Sequence, residues 1–206
     1  YGFFVALWPL TVSLLAVAPI PQDRPEGYIQ RVGLAVFGYM LFGAGLAHLG
    51  YMANDPNYRP VVLMLLTAVA LNDVAAFTCG KLIGGPKLLP ATSPNKTISG
   101  AVGAMVITGT VVALLGRAIF AGTPMAAWHW LVPFGVLVSV AGQAGDLMLS
   151  SIKRDIGIKD TGALLPGHGG ILDRFNSLLL VSPAAFHVIA YFVGWGLDQP
   201  VRVITG

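Results

Sequence analysis

The chain has a single cysteine, Cys79, among 206 residues. A disulfide framework is therefore excluded, because it needs pairs. Charge is scarce as well. Asp, Glu, Lys and Arg make up 10% of the sequence, against roughly 25% in ordinary soluble domains. Twelve basic and nine acidic side chains cannot solvate the surface of a chain that is 55% hydrophobic, which excludes a water-soluble globule. The same composition excludes disorder, since disordered chains are polar. There is no Lys/Arg-rich run, and the pI of about 9.2 rests on a net charge of only +3. Nucleic acid is therefore not expected as a partner. No Walker A sequence, no GxSxG elbow and no Cys/His zinc set is present. Internal repeats, low-complexity tracts and linkers are lacking too, so residues 1–206 read as one membrane-embedded domain. The sequence begins at Tyr1 rather than Met and reads as a processed chain or a fragment without its first residues.

What the sequence does have is apolar length, with a mean hydropathy of +0.75. Apolar stretches run approximately over 1–20, 32–52, 61–80, 100–121, 127–148 and 177–197. Each is long enough for a helix across roughly 30 Å of hydrocarbon, which takes about 20 residues. The runs are continuous rather than alternating, which fits helices and not a barrel. No basic segment precedes residues 1–20, so they read as a span and not as a signal peptide. The expected fold is all-α: a polytopic transmembrane helical bundle of about six spans. Gly43, Ala44, Gly45 and Ala47 illustrate the small residues that let such helices pack closely.

Two connections are long, 81–99 and 149–176. Placing both in the cytoplasm puts Arg24, Arg31, Lys81, Lys87, Lys96, Lys153, Arg154, Lys159 and Arg174 on that side. Arg59, Arg117 and Arg202 remain for the other. The excess of Lys and Arg inside sets the expected orientation.

Two acids interrupt the apolar runs, Asp73 and Asp146. A carboxylate inside a membrane is costly and usually faces a polar cavity with a partner. His48, His129 and His187 stand alone without ligand-spaced partners and read as structural. The densest polar stretch is 145–177, which holds Asp146, Lys153, Arg154, Asp155, Lys159, Asp160, His168, Asp173 and Arg174. On a helix, Asp146, Ser150 and Lys153 share one face, as do Asp173, Asn176 and Ser177. Pro166-Gly167-His168-Gly169-Gly170 interrupts the chain just before an acidic helix start. Glycines let backbone N–H groups approach a phosphate, and helix starts attract anions. Carboxylate and amide oxygens suit Mg²⁺. Acids, Lys, Arg and a Gly-rich turn together suggest metal-assisted phosphate chemistry.

The run Ser151-x-Lys153-Arg154-x₄-Lys159-Asp160-x₄-Leu165-Pro166-Gly167-His168-Gly169-Gly170-x₂-Asp173-Arg174 closely resembles the signature of the phosphatidate cytidylyltransferase (CDP-diacylglycerol synthase) family. Asn72-Asp73 with Ala76-Phe77 and Gly80-Lys81, the loop Ser93-Pro94-Asn95-Lys96-Thr97, and Gly145-Asp146-Leu147 are similar to that family too. The resemblance runs from about residue 60 to the C-terminus. It implies CTP and phosphatidate as substrates, CDP-diacylglycerol and pyrophosphate as products, membrane lipid as surroundings, and a bacterial-type inner membrane with a site facing the cytoplasm. A homodimer is one assembly left open.

The resemblance also implies roles. Asp146 and Asp173 would hold Mg²⁺, with Asp73 and Asn176 as further metal-site groups and a second cation as an option. Lys153, Arg154, Lys159 and Arg174 would contact phosphates, with Asp160 beside them. Ser93, Lys96, Thr97, Gly169 and Gly170 would bind substrate. His168 has two readings, as a donor to an oxyanion or as a brace for the turn. Three acids usual in the family are replaced here, by Ser99, Leu149 and Asn176, which marks a divergent branch. The competing readings are a CTP-dependent polyprenol or lipid kinase, a catalytically silent lipid- or nucleotide-binding relative, and a transporter.

Overall fold

A computed structural model describes residues 2–162 and 170–194. Apolar sequence becomes helix here because a helix satisfies its backbone N–H and C=O groups within its own segment. Helix α1 (Gly2–Val17) is followed by α2 (Tyr28–Gly38), which runs through a π-helical stretch, Tyr39–Ala44, into α3 (Gly45–Met52). Next come α4 (Tyr58–Ile83), strands β1 (Lys87–Leu89) and β2 (Ser93–Thr97), α5 (Ile98–Ile119) and α6 (Trp128–Asp155). The short α7 (Ile171–Phe175) and α8 (Leu178–Val193) follow.

Five helical runs, Val5–Gln22, Tyr28–Met52, Tyr58–Ile83, Ile98–Ile119 and Trp128–Asp155, are long and apolar enough to cross a membrane. The chain is an all-α polytopic membrane protein. Its outward faces carry exposed Ile29, Leu34, Leu63, Phe77, Leu82 and Val106. In water such faces would be a liability, whereas lipid tails accept them. The core lies between α3, α4, α5, α6 and α8, around Met52, Leu65, Val112, Leu131, Phe134 and Phe186. Helix α1 sits at the edge. Its Trp8 ring meets His48 edge-on at 5.4 Å, and the Tyr28 hydroxyl donates to the Ala16 carbonyl at 2.6 Å.

Three details differ from the sequence expectation. The last expected span, 177–197, is represented by α8, whose 16 residues give about 24 Å of rise; residues 195–206 lie outside the described residues. The connection 81–99 contains an antiparallel hairpin, with Lys87 opposite Thr97 and Leu89 opposite Ser93. Residues 149–155 continue α6 instead of starting a loop. Helix hydrogen bonding does not stop where the apolar run stops, so Lys153 and Arg154 project from a rigid element. The C-terminal ends of α4 and α6, the hairpin, the start of α5 and the start of α8 meet at one end of the bundle.

Candidate active site

The hairpin is built by backbone constraints at its base. Gly84 and Gly85 have φ of +69° and +106°, which side chains with a Cβ rarely adopt. They turn the chain out of α4 into β1. A two-stranded hairpin is marginal by itself. Here the Ile98 N–H donates to the Pro86 carbonyl at 3.0 Å, and the Ser99 hydroxyl donates to the Gly84 carbonyl. Thr97 caps α5 by accepting from the Gly100 N–H at 3.1 Å. Gly80 lets Thr97 come close, because a Cβ there would lie 2.7 Å from the Thr97 hydroxyl. These contacts fix the strand that carries Lys96.

Lys96 reaches across to α6 and forms an ion pair with Asp146. Between the hairpin, α4, α5 and α6 lies a cleft of about 250 Å³, lined among others by Asp73, Ser93, Lys96, Thr97, Gln143 and Asp146. Asp73, Ser93, Lys96, Thr97 and Asp146, scattered in sequence, are thus brought together. Asp73 and Asp146 stand about 15 Å from the ends of α4 and α6, by helical rise. Asp146, Lys96 and Arg174 all act electrostatically on Asp73. Sequence reasoning missed Gln143. The available signal was its position three residues before Asp146, on the same helical face. Its Nε2 donates to the Ala101 carbonyl and to Ser139 Oγ, both at 3.2 Å. Ser139 Oγ in turn donates to Asn72 Oδ1 at 2.5 Å.

Asp173 sits outside that cleft, at the start of α7. Its Oδ1 accepts from Lys153 Nζ at 2.8 Å. Its Oδ2 accepts from the Thr161 N–H at 2.8 Å and from the Thr161 hydroxyl and the Gly170 N–H at 2.9 Å. Burial alone would push this carboxyl up. Lys153 and the Thr161 and Gly170 donors outweigh burial and hold it well below the usual carboxylate range. Gly170 is needed for the close approach, since a Cβ there would meet the Thr161 hydroxyl at 2.7 Å. Arg154, Lys159, Asp160 and Arg174 are exposed at the same end of the bundle, and Arg154 donates to the Ile158 carbonyl at 3.4 Å. His168 and Gly169 lie outside the described residues.

The three replaced acids have separate surroundings. Ser99 bonds the base of the hairpin, and Leu149 is buried in the bundle. Asn176 touches the site directly. Its Nδ2 donates to Asp146 Oδ1, and its Oδ1 accepts from the Ser177 N–H at 2.7 Å. The amide oxygen is therefore turned away from Asp146. Among the described residues, no three His, Cys, Asp or Glu side chains gather as a metal cage. Mg²⁺ does not need one, because one or two carboxylates plus substrate phosphates commonly hold it. Asp73 and Asp146, two hard oxygen donors on one cleft, fit that demand. Each oxygen of Asp146 keeps lone-pair capacity beyond its present bond. Asp173 differs in its Oδ2, which already accepts from three protein donors, while its Oδ1 is held by Lys153.

A family model described as the cytidylyltransferase family matches residues 1–192. An uncharacterized protein of Escherichia coli strain K12, YnbB, is 34% identical over 197 residues, which cover 93% of this chain and 65% of that protein. A phosphatidate cytidylyltransferase of Brucella suis biovar 1 is 39% identical over 158 residues, covering 72% of this chain and 57% of that protein. Another of that name, from Staphylococcus saprophyticus, is 43% identical over 122 residues, covering 59% and 46%. The chain thus spans about half to two thirds of the length of these relatives.

Proposed function

The chain belongs to the cytidylyltransferase family, and from that membership we propose that it transfers CMP from CTP to phosphatidate, giving CDP-diacylglycerol and pyrophosphate for phospholipid synthesis. The observation that carries this reading is the convergence of Asp73, Lys96 and Asp146 on one cleft inside an apolar bundle. Such a cleft sets a polar site among helices whose outer faces are apolar. The names of the Brucella and Staphylococcus relatives point to the same reaction.

In this reaction an oxygen of the lipid phosphate attacks the α-phosphorus of CTP. The new P–O bond forms as the bond to pyrophosphate breaks, and pyrophosphate leaves with the electron pair. The lipid phosphate is already a nucleophile, so no serine or cysteine is required. The protein's task is to align two anions and neutralise their repulsion. Lys96 is already paired with Asp146 and would share its charge with an arriving phosphate. Exposed Arg154, Lys159 and Arg174 draw the triphosphate to the cleft mouth. Lys153 and Asp173 hold the Thr161 and Gly170 backbone in register beside it. Asp73 and Asp146 would hold Mg²⁺, which when bound supplies neutralising charge for the transferred phosphate. The basic end faces the cytoplasm of a bacterial inner membrane in this reading, where CTP is available.

The test is purified protein with CTP, Mg²⁺ and phosphatidate, scored for CDP-lipid and pyrophosphate. A phosphorylated lipid with CDP as co-product would instead make it a kinase. A folded protein that yields neither product would be a silent relative.

A further inference from the structure

The Gln143 amide beneath the cleft has a fixed orientation. The Ala101 carbonyl can only accept, so the Gln143 atom facing it is Nε2. The other Nε2 proton goes to Ser139 Oγ, and the Ser139 proton goes to Asn72 Oδ1. Ser139 and Asn72 are each at most 1% exposed. The chain of bonds crosses from α5 through α6 to α4 and leaves the Gln143 amide no freedom to flip. Its carbonyl oxygen, Oε1, accepts no hydrogen bond from any described residue. Gln143 also lines the cleft that holds Asp73 and Asp146.

We infer that Gln143 Oε1 is the neutral oxygen ligand of a divalent-cation site whose charged ligands are Asp73 and Asp146. Gln143 stands one helical turn from Asp146 on the same face. Asn72, the far end of the brace, is the neighbour of Asp73 in sequence. One buried chain therefore fixes the helices that carry both acids and aims the third oxygen. Asn176, the other amide beside Asp146, turns its nitrogen to that carboxylate and spends its oxygen on Ser177. A cleft of two carboxylates and an amide carbonyl suits a hard cation with oxygen preference. Ser139 is a positioning residue in this arrangement, since it acts only through Gln143 and Asn72.

This inference rests on the cation role proposed for Asp73 and Asp146, and the experiment separates the two. The full chain is purified in detergent and titrated with Mn²⁺ by electron paramagnetic resonance, without CTP or lipid. Gln143→Leu and Gln143→Glu both lose the two Nε2 donors. Only Glu keeps an oxygen at the cleft, and it adds charge. Mn²⁺ affinity should fall about tenfold or more in Gln143→Leu and rise in Gln143→Glu. Ser139→Ala should weaken binding by about tenfold, as loss of a supporting hydrogen bond commonly does. A purely structural brace predicts that both Gln143 variants weaken together, and that result overturns the inference. So does unchanged affinity in both. If Gln143→Leu does not fold, Gln143→Glu decides alone, by whether its affinity rises or falls against wild type. Asp73→Asn is the separate arm. Mn²⁺ binding that ignores this substitution overturns the cation role itself and Gln143 with it. Binding that needs Asp73 but ignores Gln143 overturns only the ligand inference.

Discussion

Asn176 shows how one atom changes the chemistry of a neighbour. Its N–H donates to Asp146 while its oxygen is held by the Ser177 N–H. An aspartate there would still accept from Ser177, but its second oxygen would face Asp146 as a like charge. A cation between them would relieve that repulsion. Asn176→Asp should therefore melt earlier than wild type in chelator, by about 1–3 kcal/mol for a lost partner. Mg²⁺ should restore it more than it shifts wild type. Equal Mg²⁺ shifts in thermal melts of the two proteins would separate Asn176 from any cation on Asp146. Asp173 makes a different case. Its folded carboxyl titrates below the ordinary value of 3.8, so its contribution is complete above that pH and is lost as pH falls below it. Protection of the Thr161 and Gly170 amides from hydrogen exchange, taken relative to an unstructured amide at the same pH, should be present above about pH 4 in wild type and fall in stronger acid. In Asp173→Asn, which has no charge to pair with Lys153, protection should be low at every pH. Protection that survives Asp173→Asn at neutral pH would show that other contacts hold this segment.

Among the elements, the meeting of α6 with the start of α8 depends on Gly145. A Cβ there would lie 2.7 Å from the Asn176 carbonyl and 3.1 Å from Ser177 Cα. Both neighbours are backbone, so relief requires moving the whole segment. Gly145→Ala should cost about 1–3 kcal/mol in overpacking and impair activity, because Asn176 would leave Asp146. Gly50→Ala is the control: nothing lies within 4 Å of that Cβ, and a helical Gly→Ala change gains about 0.5–1 kcal/mol. Equal melting shifts in the two variants would show that the segment yields freely at Gly145. The same elements show what the sequence made readable. Long apolar runs announce membrane helices, and Asp73, Asp146 and Lys96 stand out because charge is rare in such surroundings. The ends of α4 and α6 were not readable, since helical hydrogen bonds run on past the apolar segment into Lys81 and Asp155. The hairpin was hidden because Ser-Pro-Asn-Lys-Thr has neither alternation nor β-branched residues beyond its last threonine. Its pairing is imposed by Gly84, Gly85 and contacts at the base of α5. Gln143 and Thr161 escaped for a related reason: a neutral polar side chain gives no sequence signal until its partners are known.

At the scale of the whole molecule, the proposed reaction would make one population of basic residues serve two demands. Lys81, Lys87, Lys96, Lys153, Arg154, Lys159 and Arg174 gather at the end of the bundle where the cleft opens, while Arg59 and Arg117 mark the other end. Orientation in the membrane needs only their charge. Phosphate chemistry needs their geometry as well, because Arg offers a planar fork of donors and Lys a compact point charge. Charge-preserving exchanges therefore separate the demands. Lys153→Arg must fit a wider group against Asp173, which Lys153 meets at 2.8 Å with both side chains mostly buried. Arg154→Lys keeps an exposed charge but loses the fork. Both proteins should insert like wild type, read in a Cys79→Ala background by labelling a cysteine placed at exposed Asp155 from the side that bears the cleft and one at exposed Ala121 from the opposite side. Lys153→Arg should lower kcat, because it disturbs the Asp173 anchor that orders Thr161 and Gly170. Arg154→Lys should raise KM for CTP and spare kcat more, because its guanidinium is exposed and is not among the groups that line the cleft. Reversed labelling in either variant would mean that side-chain shape, and not charge alone, sets the topology. Normal labelling with wild-type kinetics in both would reduce this basic end to an orientation signal, and the work of holding phosphate would fall to Lys96 and the groups inside the cleft.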